Sequence, residues 1–350
     1  MIPTNIADLT SEWLTTALDT TGAVRSVASV PVGVGVGLVG QLHRLTLTWD
    51  GDGPTTVIAK LAAEGEESRF VATVLNMYGR EHGFYTELSP RTKLPHPHCY
   101  FSAHDPVTQD SVLLLEDVSS RGTMRDQIEG VRAADCAGIV DALADFHADW
   151  WDSDELARYE WLKALADDPY PGAVQFAFGA GWPNVQEQFP DECTSEVVAL
   201  GDAHVARIPA LFAKLSEPPV VFSHADYRLD NLFIQTDGRP VVVDWQLIDR
   251  SVGPRDLAYL VTQSVDIDDP SEYDAILDRY VERLRARGID VDPAWAREQY
   301  RYGTLMGFTY PVVAGGSLTV ADPRHLELCR AMLRRCTTAL RALDAFDLDL

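Results

Sequence analysis

Residues 218–260 read PPVVFSHADYRLDNLFIQTDGRPVVVDWQLIDRSVGPRDLAYL. Two short apolar runs, NLFIQ and PVVVDW, flank the turn TDGR and predict a β-hairpin. His224-x-Asp226 and Asn231 stand before it, Asp244 falls at the end of its second strand, and Asp256 opens the helix that follows. Asp226 and Asn231 can face one site if the loop between them curls. A second carboxylate delivered by the hairpin then completes a hard, all-oxygen cation site. Phosphoryl transfer needs these parts: a carboxylate beside the attacking hydroxyl, oxygen ligands for magnesium, and positive charge on the nucleotide phosphates. A lone HxDxxxxN would be a weak signal, because surface loops often contain Asp and Asn. The spacing of Asn231 to Asp244 across a hairpin, with GPRDLA beyond, makes coincidence a minor reading.

Upstream, Gly35-x-Gly37-x-x-Gly40 matches a fingerprint shared by kinases and dinucleotide-binding folds. A Rossmann domain would run from the glycines into a helix. This chain continues as LHRLTLTW, which alternates and predicts a strand, so the glycines join two strands as in a loop that covers nucleotide phosphates. SVASVPV before them and TTVIAKLA after them are further β runs, and Lys60 lies in the second. A helix expected from about Glu67 to Leu88 carries Val71, Val74, Leu75, Tyr78, Tyr85 and Leu88 on one stripe. Glu81 falls on that stripe, where a carboxylate is costly unless paired. Lys60 is the expected partner, and the pair would aim the ammonium at the phosphates. His82 facing inward instead is the alternative. A short helix from Ser11 to Leu18, stopped by Gly22, precedes the strands. LPHPHCYF reads as a connection, and SVLLLEDV as a buried strand that closes a first lobe near residue 118.

The block HADYRLDN…VVDWQ…GPRDLA resembles, segment by segment, the catalytic signature of the aminoglycoside phosphotransferase family and its relatives, the choline kinases and ecdysteroid-kinase-like proteins. The resemblance spans about Gly33 to Leu260. It implies an α+β, two-lobed, protein-kinase-like fold, with a small antiparallel-sheet lobe carrying one long helix (1–118) and a larger, mainly helical lobe (119–350). It also implies a small-molecule kinase that uses Asp226 as base, Asn231 and Asp244 as magnesium ligands, and His224 as scaffold of the loop. The donor would be ATP or GTP. Asp256 would cap its helix, a reading of position, and brace the catalytic loop, a reading from the family. Ala225 departs from the glycine usual there. YGREHGFY is similar to the helix segment that carries the paired glutamate. LLLEDV is similar to the inter-lobe segment, where main-chain groups of Glu116 and Val118 would hold the purine.

The remaining sequence limits the alternatives. The net charge of -24, from 29 Lys+Arg against 53 Asp+Glu, argues against a nucleic-acid partner and against anionic lipid. The five cysteines are odd in number and form no CxxC pair, which fits a reducing compartment. The N-terminus has neither a basic segment nor an apolar run, so a cytoplasmic location is expected. Between Asp244 and Asp256 there is no room for a protein kinase's peptide-binding segment, so the acceptor is expected to be a small-molecule hydroxyl. Aminoglycosides, amino sugars, choline-like amines and steroid-like alcohols all fit the family. Asp266, Asp268 and Asp269 are candidates to hold a cation, and Trp151, Trp161, Phe176, Phe178 and Trp182 to line a less polar pocket. Residues 152–193 read as a long aromatic loop. His147, on the apolar stripe of its helix, reads as a core histidine. A nucleotide-binding pseudokinase is the non-enzyme alternative, and an NAD-dependent oxidoreductase, resting on the glycines alone, is the last. Oligomeric state is not legible.

Overall fold

The computed structural model describes residues 2–33, 40–316 and 323–350, so the expected glycine-loop residues Gly35 and Gly37 lie outside the described residues. Helix α1 (Ser11–Leu18) starts where the Thr10 hydroxyl accepts the Trp13 amide. It ends at Asp19, in the left-handed region with φ 44°, and not at Gly22. The alternating runs then become β1 (Ala23–Pro31), β2 (Gly40–Asp50) and β3 (Thr56–Ala62). β2 is antiparallel to both neighbours, so among the described residues the chain beyond the glycines continues as a strand and not as the helix that a dinucleotide-binding βαβ unit needs. Period-two alternation puts Val57, Ala59 and Leu61 of β3 into the core beneath α1 and turns Lys60 to the opposite face.

The long helix expected over 67–88 is broken. Helix α2 (Glu66–Val74) is separated from α3 (Met77–Gly83) by Asn76, which takes the left-handed conformation at φ 50°. Asparagine tolerates that conformation better than most residues. A π-turn over Phe84–Leu88 follows. The break explains why the stripe fails at its front: Phe70 and Val71 are 69% and 42% exposed, while Tyr78, Glu81, Tyr85 and Leu88 stay buried. The expected connection LPHPHCYF instead leads into an edge strand, β4 (Cys99–His104), beside β5 (Ser111–Glu116). The sheet order is β1-β2-β3-β5-β4.

Two compact units result. The first runs to Arg121 and includes Val243–Leu247; the second holds Gly122–Val242 and Ile248–Leu350. The sequence places one boundary near 118; by contact the first unit also takes in residues 243–247. Several contacts hold that segment. Lys60 Nζ meets Asp244 Oδ1 at 2.7 Å, the Trp245 ring stacks on Phe84 with centroids 3.9 Å apart, and Arg80 Nη1 donates to the Leu247 carbonyl.

The second unit contains β6 (Thr123–Met124), β7 (Val131–Arg132), α4 (Ala137–Asp149), α5 (Tyr170–Gln188), α6 (Ser195–Lys214), β8 (Val221–Ser223), β9 (Leu232–Ile234) and β10 (Pro240–Val242). It continues with β11 (Asp249–Ser251), α7 (Gly253–Ser264), β12 (Val265–Asp266), α8 (Ser271–Ala286), α9 (Pro293–Gly307), α10 (Thr309–Gly316) and α11 (Pro323–Ala342). β9 and β10 are the expected hairpin, extended by β6. Residues 170–188 of the expected aromatic loop form helix α5. Its glycines disguised it, but one of them serves helix packing: a Cβ on Gly181 would lie 2.8 Å from the Val312 carbonyl oxygen and 2.9 Å from the Gly316 Cα of α10. Phe178 and Trp182 are core residues against Phe308 and Phe176 is 79% exposed, so the expected aromatic set does not converge on a pocket. Among the described residues no helix is long and apolar enough to cross a membrane.

A ladder of ion pairs joins α4 to α8, both spaced by four residues. Arg279 bonds Asp141, Arg283 bonds Asp145 at 2.8 Å, and Arg287 bonds both Asp145 and Asp149. Partial burial pushes the Asp145 carboxyl up, but hydrogen bonds from Arg283 and Arg287 outweigh it and hold the group below its ordinary 3.8. Its contribution is therefore complete above the unfolded value and is lost as pH falls through the lower folded one. Solvent screening keeps such pairs near 0.2–1 kcal/mol each. Asp145→Asn should cost about 1 kcal/mol in urea denaturation at pH 7, and the difference from wild type should close as the pH falls below the lowered folded value. An equal loss at both pH values would show that packing is responsible and the charge is not.

Candidate active site

In the first unit, Lys60 lies between two carboxylates. Its Nζ is 2.7 Å from Glu81 Oε2 and 2.7 Å from Asp244 Oδ1, with Lys60 8% and Glu81 2% exposed. The expected pair is thus present, enlarged to a triad by Asp244. His82 turns the other way and meets Ser102 Oγ at 2.7 Å. Burial pulls the Lys60 ammonium's pKa down, but Asp244 and then Glu81 outweigh it, and the group is held charged above its ordinary value. Burial raises the Glu81 carboxyl, with Lys60 opposing and Asp244 reinforcing the rise. Asp244 sits in the left-handed region at φ 65°, which turns its carboxylate aside as β10 ends. Gly40 opens β2 with its Cα beside the Lys60 stem and the Leu61 carbonyl. At the other end of the sheet, the Glu116 amide donates to the His98 carbonyl, and its side chain accepts from His98 N and Arg121. Val118 is buried at the start of a 3₁₀ turn.

In the second unit, β8 and β11 are paired and cross-linked by Ser223 and Ser251, 2.9 Å apart at their hydroxyls. Arg255 locks β11 from below, bonding both Asp249 oxygens, Ser251 and Tyr310, with Arg255 and Asp249 nearly inaccessible. The loop 224–231 leaves β8 on this base. Asp256 does not cap α7, which begins at Gly253 after Val252 with no side-chain cap. It braces the loop instead, accepting the His224 amide at 2.8 Å and the Ala225 amide at 3.1 Å. Burial pushes the Asp256 carboxyl up, but the His147 hydrogen bond and charge bring it below its ordinary value. His147 is fully buried between Asp256 and Tyr280, so the core-histidine reading holds, with the brace as its task. Ala225 has φ 65°, a conformation that favours glycine, which accounts for the glycine usual at this position.

Asp226 is 5% exposed at the centre of the loop. Its Oδ1 accepts the Tyr259 hydroxyl at 2.6 Å and Arg228 Nε at 3.0 Å; its Oδ2 accepts Asn231 Nδ2 at 2.7 Å. His224 Nδ1 accepts the Asp226 amide. Asn231 Nδ2 also donates to the Asp226 carbonyl, so the amide nitrogen is committed to Asp226. Tyr259 and Arg228 were not singled out from the sequence. The available signals were the place of Arg228 inside HADYRLDN and of Tyr259 three residues beyond Asp256, on the same face of α7. Of the expected cation holders, Asp266 is paired with Arg335 and Asp269 caps Ser271, so neither waits for a substrate; Asp268 is exposed.

The chemistry of the donor set fits magnesium. In the first unit, two carboxylates around one ammonium leave the triad with a net negative charge and Asp244 offers a hard oxygen; in the second unit, Asn231 offers one of its own. Magnesium is bound in this manner, by one or two protein carboxylates together with substrate phosphates.

The family model of the ecdysteroid kinase-like proteins matches residues 37–289. No curated protein sequence matches the chain. Among solved structures, a choline kinase from Cryptosporidium parvum superposes with a TM-score of 0.56 at 10% identity, covering 90% of this chain and 88% of its own. A GDP complex of aminoglycoside 2'-phosphotransferase-IIIa gives 0.55 at 14%, covering 95% and 99%. A choline kinase from Streptococcus pneumoniae gives 0.54 at 15%, covering 96% and 97%. At these identities the likeness is one of fold, the protein-kinase-like α+β fold.

Proposed function

As a member of the ecdysteroid kinase-like family the chain is a small-molecule kinase, and we propose that it moves the γ-phosphate of ATP to a hydroxyl of a small molecule with Asp226 as base. The observation that carries this reading is the buried Asp226 carboxylate, held by Tyr259, Arg228 and Asn231 in a loop braced by Asp256. Asp226 would take the acceptor's hydroxyl proton as its oxygen bonds to the γ-phosphorus; the bond to the β–γ bridging oxygen breaks and ADP leaves. Asn231 and Asp244 would hold magnesium, which when bound neutralises charge developing on the phosphates. Lys60, oriented by Glu81, would meet the phosphates. The Glu116 carbonyl and the Val118 amide would hold the adenine edge, and Gly40 would close the phosphate loop.

The acceptor is to be identified with a panel of alcohols, aminoglycosides, amino sugars, choline-like amines and steroid-like alcohols, following ADP release, with GTP run beside ATP. Calorimetric titration with nucleotide, with and without magnesium, separates a binding-only pseudokinase from an enzyme: nucleotide binding without turnover across the panel would favour the former. Asp244→Ala should weaken magnesium–ATP binding much more than binding of ATP alone. Equal weakening in both conditions would assign Asp244 a structural role, through its contact with Lys60, in place of metal binding.

A further inference from the structure

The C-terminal helix α11 lies beyond residues 37–289, yet one of its side chains reaches the interior of the second unit. Arg335 is 10% exposed at its side chain. Its Nη1 donates to the carbonyls of Gln127 at 2.7 Å and Gln263 at 3.2 Å, its Nη2 to that of Ile128 at 2.9 Å, and its Nε to Asp266 Oδ1 at 2.8 Å. The fork thus clips the 126–130 turn to the last turn of α7, where unpaired carbonyls favour a cation. Gly130 passes beside it at φ 71°, and a Cβ there would collide with the guanidinium and with Asp266. Gln127 is fully buried. Its Nε2 donates to the Gln263 carbonyl at 3.1 Å, its amide to Asp230 Oδ1 at 3.2 Å, and its Oε1 accepts Arg228 Nη1 at 2.6 Å. Arg228 in turn bonds Asp226 Oδ1 and Asp230.

We propose that Arg335 is a positioning residue for the Asp226 carboxylate, acting through Gln127 and Arg228. The inference rests on the reading of Asp226 as base for its catalytic consequence, although the relay itself is a matter of geometry. Arg228 is a long, flexible side chain whose guanidinium needs fixed acceptors at Nη1 if it is to aim Nε at one carboxylate oxygen. Asp230 and Gln127 supply them, and Gln127 is itself fixed by Arg335. Errors of an ångström in the placement of a catalytic group cost up to about 100-fold in rate. This gives α11 a role in the reaction, by way of a side chain that touches no substrate.

The test uses the full chain and two readouts: hydrogen exchange of the segment 224–231, and steady-state turnover of magnesium–ATP with water as acceptor. Arg335→Ala should speed exchange in 224–231 and lower kcat by about 10–100-fold, with KM for ATP within about twofold. Arg335→Lys keeps the charge and should restore part of both, which also covers failure of the alanine variant to fold. Adding Arg335→Ala to Arg228→Ala should cost little beyond Arg228→Ala alone, because both act on the same carboxylate. Unchanged exchange and kcat in a folded Arg335 variant, or fully additive losses in the pair, would overturn the relay. Full turnover in Asp226→Asn would remove the base reading instead, and the exchange data would still decide whether Arg335 fixes the loop.

Discussion

Asp226→Asn is expected to lower turnover by about 10²–10⁴-fold, the usual cost of losing a general base, while magnesium–ATP affinity stays within a few-fold of wild type. The split follows from the division of labour in the loop, in which the base and the proposed metal ligands are different residues. The surroundings of Asp226 add a second expectation. Tyr259 and Arg228 donate to one oxygen and Asn231 to the other. Whichever way an asparagine amide is turned, its NH₂ meets a donor, so at least one of those groups loses its acceptor. An unpaired buried donor costs about 1–3 kcal/mol. The variant should therefore melt earlier, and the kinetics belong at a temperature where it remains folded. Near-wild-type turnover in the folded variant would refute the assignment of the base.

Lys60→Met should have the largest effect on stability. It leaves Glu81 and Asp244 facing each other across a buried site with no cation between them. Removing one partner of a buried pair commonly costs about 3–5 kcal/mol, and the partial exposure of Asp244 puts this case toward the lower end. The Michaelis constant for ATP should also rise, and Glu81→Gln should raise it more mildly. A double-mutant cycle between Lys60 and Glu81 should show coupling of about 0.5–3 kcal/mol in both stability and nucleotide affinity. Coupling in stability without any in affinity would make the triad a structural feature and would release Lys60 from the phosphates.

The sequence by itself determined the elements whose signal is local. The β9–β10 hairpin followed from two apolar runs around TDGR, β2 from alternation and β3 from a β-rich run, because such signals depend on neighbours in the chain. The Lys60–Glu81 contact was legible because a carboxylate on an apolar stripe demands a partner, and Lys60 lay among apolar residues on a predicted strand. The loop residues His224, Asp226 and Asn231 were legible as a pattern of types and spacing. Only the tertiary structure decided what depends on distant residues. Helix α5 was hidden because glycines that weaken helix propensity are required where Gly181 meets Gly316, a contact made across 135 positions of chain. The break at Asn76 and the exposure of Val71 depend on what the sheet leaves uncovered, which no periodicity records. Residues 243–247 leave their sequence neighbours for the first unit because Lys60, Phe84 and Arg80 hold them there. Asp256 occupies a position that suggests a cap, yet it braces the loop, because two loop amides and His147 converge on its carboxylate only after the strands have paired. Hydrogen bonds between residues far apart in the chain, Arg335 to Gln127 among them, satisfy buried donors and acceptors that the sequence lists but cannot pair.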